Sequence, residues 1–502
     1  MSRKEVRTDL VEYLQLQVEE KRMAWQVPGC AVAVICDGEV VFSNGFGHAY
    51  RDGRQPITPQ TLFPIASATK SFTSLSLALL VAEEVLDWDT PLRSYWSDFQ
   101  LFDPVATATI TARDLLCHRS GLPRHDLVWY NTSDSREGLM ERLRYLEPTK
   151  AFRSTYQYQN LMVTAAGSLV ERLSGKKWEA FVKKRILDPL HMENTYFTVG
   201  EAGRTGRLAR PYRKKAAGVV EVPFLNNEAI GPAGSMISTI QDMSKWLHLH
   251  LQKGVVNGCP LLSPALLEEL YCPQIVAGKP HEHMPELTTS YSALGWFVQS
   301  YRGHRMIFHA GNLQGFTSFV SFLPDAQMGI VVLSQIDNSR LPTVLSYEIY
   351  DHVLGMERCD WNGRMREEAR KEEAAQQEQV TKWESLRLLP SEKDEAVGGP
   401  SVQAFISVTG VYENQGYGTI TISYIDGQLS MRYNGIVFLL EPMADSRFLA
   451  TFNESYTLQF PISFQTNHEG MIVSLSAPFE PVEGAKALVF TRKGNLFSTQ
   501  ME

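Results

Sequence analysis

TLFPIASATKSFTSLSLALLVAEE, residues 61–84, joins a short extended piece to a long apolar helix. Pro64 closes the extended piece, and Phe72, Leu75, Leu79 and Leu80 recur at helical spacing, so the helix that follows is largely buried. On that helix Ser67 falls in the first turn, with Lys70 one turn later on the same face. A serine hydroxyl is a weak nucleophile until a nearby base takes its proton. A lysine amine serves as that base only when neutral, a form that burial and neighbouring positive charge favour. The positive end of the helix also favours the negative charge that develops during attack. A second serine-x-x-lysine match, Ser174 to Lys177, stands beside Gly175 and reads as a surface helix end. Only Ser67 precedes a long apolar helix.

Working outward from this segment, residues 4–25 carry Val6, Leu10, Tyr13, Leu14 and Val18 near a 3.6-residue period, which predicts a helix. Two β-branched runs then flank Asp37-Gly38, a strong hairpin signal. Helices are predicted over 67–84, 111–117, 160–174, 178–186 and 239–252. Strands follow over 295–298, 306–309, 316–323 and 329–334, and a further helix over 341–354. Both ends of this block supply antiparallel strands and its middle supplies helices. One sheet with a helical insertion, an α+β unit, is the economical architecture. Residues 361–390 are charged and rich in helix formers, and SEKDEAVGGPS (391–401) has loop composition, so a solvated linker is expected. Short strands with turn signals then appear at 418–424, 428–433, 448–452, 456–460, 471–476 and 487–492, the pattern of a small barrel or sandwich.

The composition of all 502 residues fits this globular reading, with 44% hydrophobic and 21% charged residues. A net charge of −8 offers no basic footprint for nucleic acid. No apolar run approaches the ~20 residues of a membrane-spanning helix, and the charged start lacks a signal-peptide core. The six cysteines show no metal-ligand spacing and read as reduced, mostly packed thiols of a cytoplasmic protein.

Two further stretches have chemical potential. In Tyr158-Gln159-Asn160, ahead of the helix LMVTAAGSLVERL, side chains two apart in an extended turn point the same way and can enter one cleft. A phenol beside a lysine can share proton transfer, and a carboxamide can contact a substrate carbonyl. The plainer alternative makes Asn160 a helix N-cap. In His309-Ala310-Gly311 an apolar strand ends in a glycine that permits close approach, with the histidine placed to stabilise charge or orient a proton. Backbone amides at Ser67 and Asn312 can form an oxyanion hole. The alternative is a structural histidine on a strand. Tyr412-Glu413-Asn414 and His468-Glu469-Gly470 match the same short patterns and show how common they are.

Taken together and in this order, the three motifs resemble the serine β-lactamase-related family, which includes class C β-lactamases, penicillin-binding carboxypeptidases and esterases. LLCHRSGLPRHD (115–126), ILDPLHMENTYF (186–197), GPAGSMISTIQDMSKWL (231–247) and YSALGWFV (291–298) extend the resemblance over about residues 20–355. It implies an antiparallel sheet flanked by helices, with a helical subdomain. It further implies Ser67 as acyl-accepting nucleophile, Lys70 as general base, Tyr158 as proton-relay partner and Asn160 as substrate-amide contact. His309 and Gly311 stand where β-lactamases have the lysine and glycine of a lysine-threonine-glycine strand, as in the esterase and peptidase branch. The missing lysine speaks against binding the carboxylate of a penicillin. Residues 403–495 resemble, more loosely, a lipocalin-like tail domain.

The expected division is therefore a catalytic domain over 1–358, a charged linker over 359–402 and a β-barrel over 403–502. The expected function is a serine hydrolase that forms an acyl-enzyme on an ester, amide or peptide, with no cofactor and no metal. Alternatives are an acyltransferase of the same fold, passing the acyl group to an alcohol or amine, and a catalytically silent scaffold. Partners are then a small-molecule substrate, with neither nucleic acid nor membrane, and self-association into a homo-oligomer is left open. Segments 124–156 and 200–228 are expected to rim the cleft and set specificity.

Overall fold

In the computed structural model, the described residues are 3–215, 218–279, 283–384, 402–443, 447–452 and 458–494. The expected loop at 391–401 and the start of the strand expected at 456 lie outside them. The chain forms two compact units, and they are not contiguous in sequence. The first holds residues 1–99, 104–121 and 151–369; the second holds 100–103, 122–150 and 370–502.

The core of the first unit is an eight-stranded antiparallel sheet. Its strands run in the spatial order Glu39–Gly47, Gly29–Cys36, Met328–Gln335, Phe316–Leu323, His304–Leu313, Phe297–Tyr301, Ser290–Ser292, Ile275–Gly278. Strands from the early and late parts of this unit meet at the second and third positions, where Ala31 pairs with Leu333 and Ala33 with Val331. Gly29–Cys36 and Met328–Gln335 are buried almost throughout, because helices cover both faces of the sheet's centre. Helix Leu341–Val353 packs on one face, with Leu10, Leu14 and Val18 of the first helix buried in the same core. Ile240–Leu251 packs against the central strands as well.

The strand that carries His309 is longer than the sequence pattern predicts. It spans His304–Leu313 and continues past Gly311, which pairs with Ser318, and Asn312, which pairs with Thr317. Its apolar alternation stops near His309 because the far end borders the turn before Ser67, and a glycine and an asparagine do not register in a hydrophobic pattern. The strand expected at 295–298 likewise begins two residues later, at Phe297, with Gly295 in a left-handed turn at φ +70°. The short strands Ile275–Gly278, at the sheet's edge, and Ser290–Ser292, beside it, were not predicted, being too brief to show alternation.

Helices Thr69–Ala82 and Asn160–Ser174 pack together, and Gly231–Gly234 lies against both. Their close approach depends on Gly167, where a Cβ would overlap the ring of Pro232. Gly167→Ala is therefore expected to push the 231–234 turn outward and to cost about 1–3 kcal/mol, as overpacking does. Thermal denaturation of the variant measures this; an unchanged midpoint would show that the contact relaxes freely.

The second unit is a closed eight-stranded barrel over Gly410–Gly494 in which each strand pairs with its neighbour in the chain. Its interior is filled by Tyr412, Ile420, Met431, Tyr433, Phe438 and Phe490. Residues 122–150, expected within the first domain, cluster with this unit instead. Polar contacts explain why: the Tyr433 hydroxyl and Asn434 Nδ2 both donate to the Leu127 carbonyl, at 3.0 and 2.8 Å. His125 Nδ1 lies 2.6 Å from the Tyr417 hydroxyl, which in turn is 3.1 Å from Glu480 Oε1. Such long-range polar pairs leave no periodicity in the sequence. Among the described residues of the expected linker, Trp361–Glu384 forms a helix. Of the six cysteines, all free, Cys259 and Cys272 are exposed and the other four are at least partly buried.

Candidate active site

Ser67 sits in a single 3-10 turn, Ala66–Ala68, immediately before the helix that begins at Thr69. The residue ahead of it, Ala66, has φ +48°, a left-handed conformation costing an alanine roughly 1–2 kcal/mol. Surrounding contacts hold it there. Ile65 N donates to the Met236 carbonyl at 2.9 Å, and Ser318 Oγ donates to the Ile65 carbonyl at 2.8 Å. Gly311 lies so close that a Cβ there would overlap the Ile65 carbonyl oxygen and Ser318 Oγ. The His304–Leu313 strand therefore runs directly against the turn that presents Ser67, which is partly exposed.

Lys70, by contrast, is fully buried. Its Nζ lies 3.1 Å from Ser67 Oγ, 2.8 Å from Asn160 Oδ1 and 2.7 Å from the Ala233 carbonyl oxygen. These partners come from three separate segments of chain. Two of them, the amide oxygen and the carbonyl, can only accept. A neutral amine has two N–H bonds and one lone pair; with both N–H groups on those acceptors, the lone pair faces the serine hydroxyl. The ammonium form has three donors for the same three atoms. A proton can thus pass from serine to lysine without rearranging the shell, the preorganisation that makes such transfers efficient.

The ring of Tyr158 covers Lys70, its centroid 4.8 Å from Nζ. Tyr158 and Asn160 both reach the lysine, as their spacing predicts, but the N-cap of the helix is Gln159 and not Asn160. Gln159 Oε1 accepts from the Leu161 N–H at 2.8 Å, which leaves the Asn160 side chain free to turn inward as the first helical residue.

His309 is buried beside the Phe297 ring, at 5.3 Å between centroids. Burial first, and the nearby Lys70 charge second, push its pKa down to about 3, so the imidazole is neutral near pH 7. Nδ1 lies 2.7 Å from the Ala310 carbonyl oxygen. That oxygen only accepts, so Nδ1 carries the proton and Nε2 presents a lone pair. Among the described residues Nε2 has no hydrogen-bond partner. The ring therefore supplies no positive charge at the place where a lysine would.

Asn312 is exposed, and its side chain is engaged elsewhere: Nδ2 donates to Asn338 Oδ1 at 2.8 Å and Oδ1 accepts from the Asn338 N–H at 2.6 Å. Any role in substrate binding falls to its backbone. The competing motif matches resolve as structural features. Ser174 ends its helix before Gly175 at φ +68°, Tyr412 is buried inside the barrel, and Gly470 stands in a turn. The Ala233 carbonyl escaped the sequence reading because a backbone atom has no residue signature. GPAGSM, 231–236, was the available signal.

Buried neutral histidines carry a consequence for stability. His250, enclosed by Trp246, Trp296 and Phe322, is also pushed down to about 3 by burial. An unfolded histidine titrates near 6.5, so between about pH 6.5 and 3 the unfolded chain takes up protons that the folded chain does not. Stability is therefore lost as pH falls through this window, by about 1.4 kcal/mol per pH unit per group. The melting midpoint of His309→Gln is expected to fall less between pH 7 and 4.5 than that of the wild type. Parallel curves would count against this assignment.

An antiparallel sheet with helices on both faces, and a serine and a buried lysine at the start of one helix, make up the fold and its candidate site. The chain belongs to the Beta-lactamase family, whose model matches residues 16–354; a domain of unknown function (DUF3471) matches 396–492. Among curated proteins it is 32% identical over 357 residues to the unguisins hydrolase ungD' of Aspergillus campestris, covering 67% of this chain and 65% of that one. The chain thus spans just under two thirds of that relative's length. By fold it is similar to the octameric penicillin-binding protein homologue of Pyrococcus abyssi, with a TM-score of 0.60 and 21% identity over 96% of this chain and 99% of that one. It is also similar to the D-amino acid amidase of Ochrobactrum anthropi, with a TM-score of 0.57 and 24% identity over 69% of this chain and 98% of that one. Among the described residues no helix is long and apolar enough to cross a membrane, and no three His, Cys, Asp or Glu side chains group to hold a metal ion.

Proposed function

We propose that this chain is a serine hydrolase that forms an acyl-enzyme on Ser67 and releases it to water, acting on an ester, amide or peptide. The observation that carries the reading is the 3.1 Å approach of Lys70 Nζ to Ser67 Oγ, with Asn160 and the Ala233 carbonyl taking the amine's other directions. In this reading Lys70 removes the serine proton as Oγ attacks the substrate carbonyl, and the backbone N–H groups of Ser67 and Asn312 receive the oxyanion. Tyr158, over the amine, passes the proton to the leaving group, which departs as an alcohol or amine. Water then attacks the ester carbonyl, the proton path runs in reverse, and Ser67 is restored with release of the acid. The hydrolase among the similar sequences supports hydrolysis as the outcome. The same reading takes the barrel as lipocalin-like, for its eight strands closed in chain order.

The test is intact-mass analysis after mixing with a panel of p-nitrophenyl esters, peptide amides and a cephalosporin. A covalent adduct equal to the acyl group is expected on the wild type and on no Ser67→Ala protein; turnover by Ser67→Ala would defeat the proposal. Adducts that vanish faster with an added alcohol or amine, giving the acylated acceptor, would turn the reading towards acyl transfer. Because His309 is neutral, uncharged esters are expected to acylate Ser67 roughly 100-fold faster than benzylpenicillin, as the loss of about 1.5–3 kcal/mol from a missing hydrogen bond to its carboxylate implies. Equal rates would show that another cation serves the carboxylate.

A further inference from the structure

The site depends on Tyr158 and Asn160 arriving together on Lys70, and the residue between them points the other way. Gln159 is completely buried. Its side chain caps the helix that starts at Asn160, and its backbone N–H donates to His118 Nδ1 at 3.2 Å. The His118 ring also lies against that of Tyr158, at 4.3 Å between centroids and a 32° tilt, and meets Tyr156 edge-on at 5.8 Å. The His118 carbonyl accepts from the Gln157 N–H at 2.9 Å. One residue therefore touches four successive positions, 156 to 159. His118 is itself 1% exposed and held at φ +60°, a conformation that L side chains rarely adopt. Resting on the reading of Ser67 and Lys70 given above, we infer that His118 is a positioning residue for acylation. It fixes the start of the Asn160 helix, and with it the adjoining Tyr158, through its hydrogen bond to Gln159.

The geometry sets the chemical form of the ring. Because a backbone N–H can only donate, Nδ1 must keep its lone pair, and the proton of the neutral ring resides on Nε2. Neither Tyr158 nor Asn160 is bonded to reacting atoms by His118, so its effect passes through their placement. An asparagine can offer an oxygen near the position of Nδ1 but has no ring. A phenylalanine keeps a ring but offers no acceptor to the buried Gln159 N–H.

The experiment measures the second-order rate of Ser67 labelling by a fluorophosphonate, with kcat and KM for a p-nitrophenyl ester and the melting midpoint of each variant. His118→Phe is expected to label about 30-fold more slowly, with the loss in kcat and KM within about twofold, and His118→Asn to recover most of that rate. A folded His118→Phe protein labelling at the wild-type rate, or a His118→Asn protein as slow as His118→Phe, would overturn the inference. Nitrogen NMR of the wild type, labelled on histidine, needs no variant: the Nε2–H tautomer is expected for His118, and the Nδ1–H tautomer would refute the bond. Absence of wild-type labelling at Ser67 would instead remove the serine-nucleophile reading and the inference with it.

Discussion

Replacing Lys70 by methionine is expected to slow acylation of Ser67 by roughly 10²–10⁴-fold, the range for removal of a positioned general base. Methionine keeps the unbranched stem and much of the volume, so the helix Thr69–Ala82 retains its packing. What is lost is the single atom on which three chain segments converge. Asn160 Oδ1 and the Ala233 carbonyl lose their shared donor, and in the proposed reading Ser67 loses the base that takes its proton. Two effects on stability oppose one another. Each buried acceptor left unmade costs about 1–3 kcal/mol, whereas removing a buried amine relieves its own desolvation. The melting midpoint is therefore expected to move far less than the rate. Stopped-flow acylation with a p-nitrophenyl ester reads the effect, and a Lys70→Met protein acylating within threefold of wild type would exclude lysine as the base.

The second large effect is expected at Gly311. Its Cβ-less backbone is required by contact, since an added methyl would meet the Ile65 carbonyl oxygen, Ser318 Oγ and Ala66 Cβ together. Two of these groups are joined by the 2.8 Å hydrogen bond from Ser318 to Ile65, and the third belongs to the left-handed residue that precedes Ser67. Gly311→Ala must part the strand from the turn by on the order of 1 Å, a displacement that can cost a reaction about 10²-fold. The expected result is a fall in kcat/KM of that size, with destabilisation of about 1–3 kcal/mol. Ala310→Ser is the control: Ala310 is the exposed neighbour on the same strand, and its rate should be unchanged. A Gly311→Ala protein with full activity would show that the Ser67 turn does not depend on this contact.

Much of the site was legible because its spacing is local. Ser67 and Lys70 are one helical turn apart, and Tyr158 and Asn160 are two residues apart in an extended segment, so each pair shares a direction before any tertiary contact forms. His309 was legible as a residue, and its electrical state was not. Its low pKa comes from burial beside Phe297 and from Lys70, both distant in sequence. The exchange of N-cap from Asn160 to Gln159 has the same origin, since both residues can cap and only the position of Lys70 decides which one turns inward.

From sequence alone came the helix behind Ser67, the antiparallel strands at both ends of the first unit, the strand-rich tail and the order of the three motifs. Each rests on a periodicity or a turn dipeptide that acts over a few residues. Folding in three dimensions decided the rest: the lysine's partnership with the Ala233 carbonyl, the neutral state of His309, the attachment of residues 122–150 to the barrel and the clasp of His118 on Gln159. These are matters of burial and of backbone atoms brought together from remote parts of the chain. Such contacts carry no residue code, because every residue type supplies the same carbonyl and, proline aside, the same N–H.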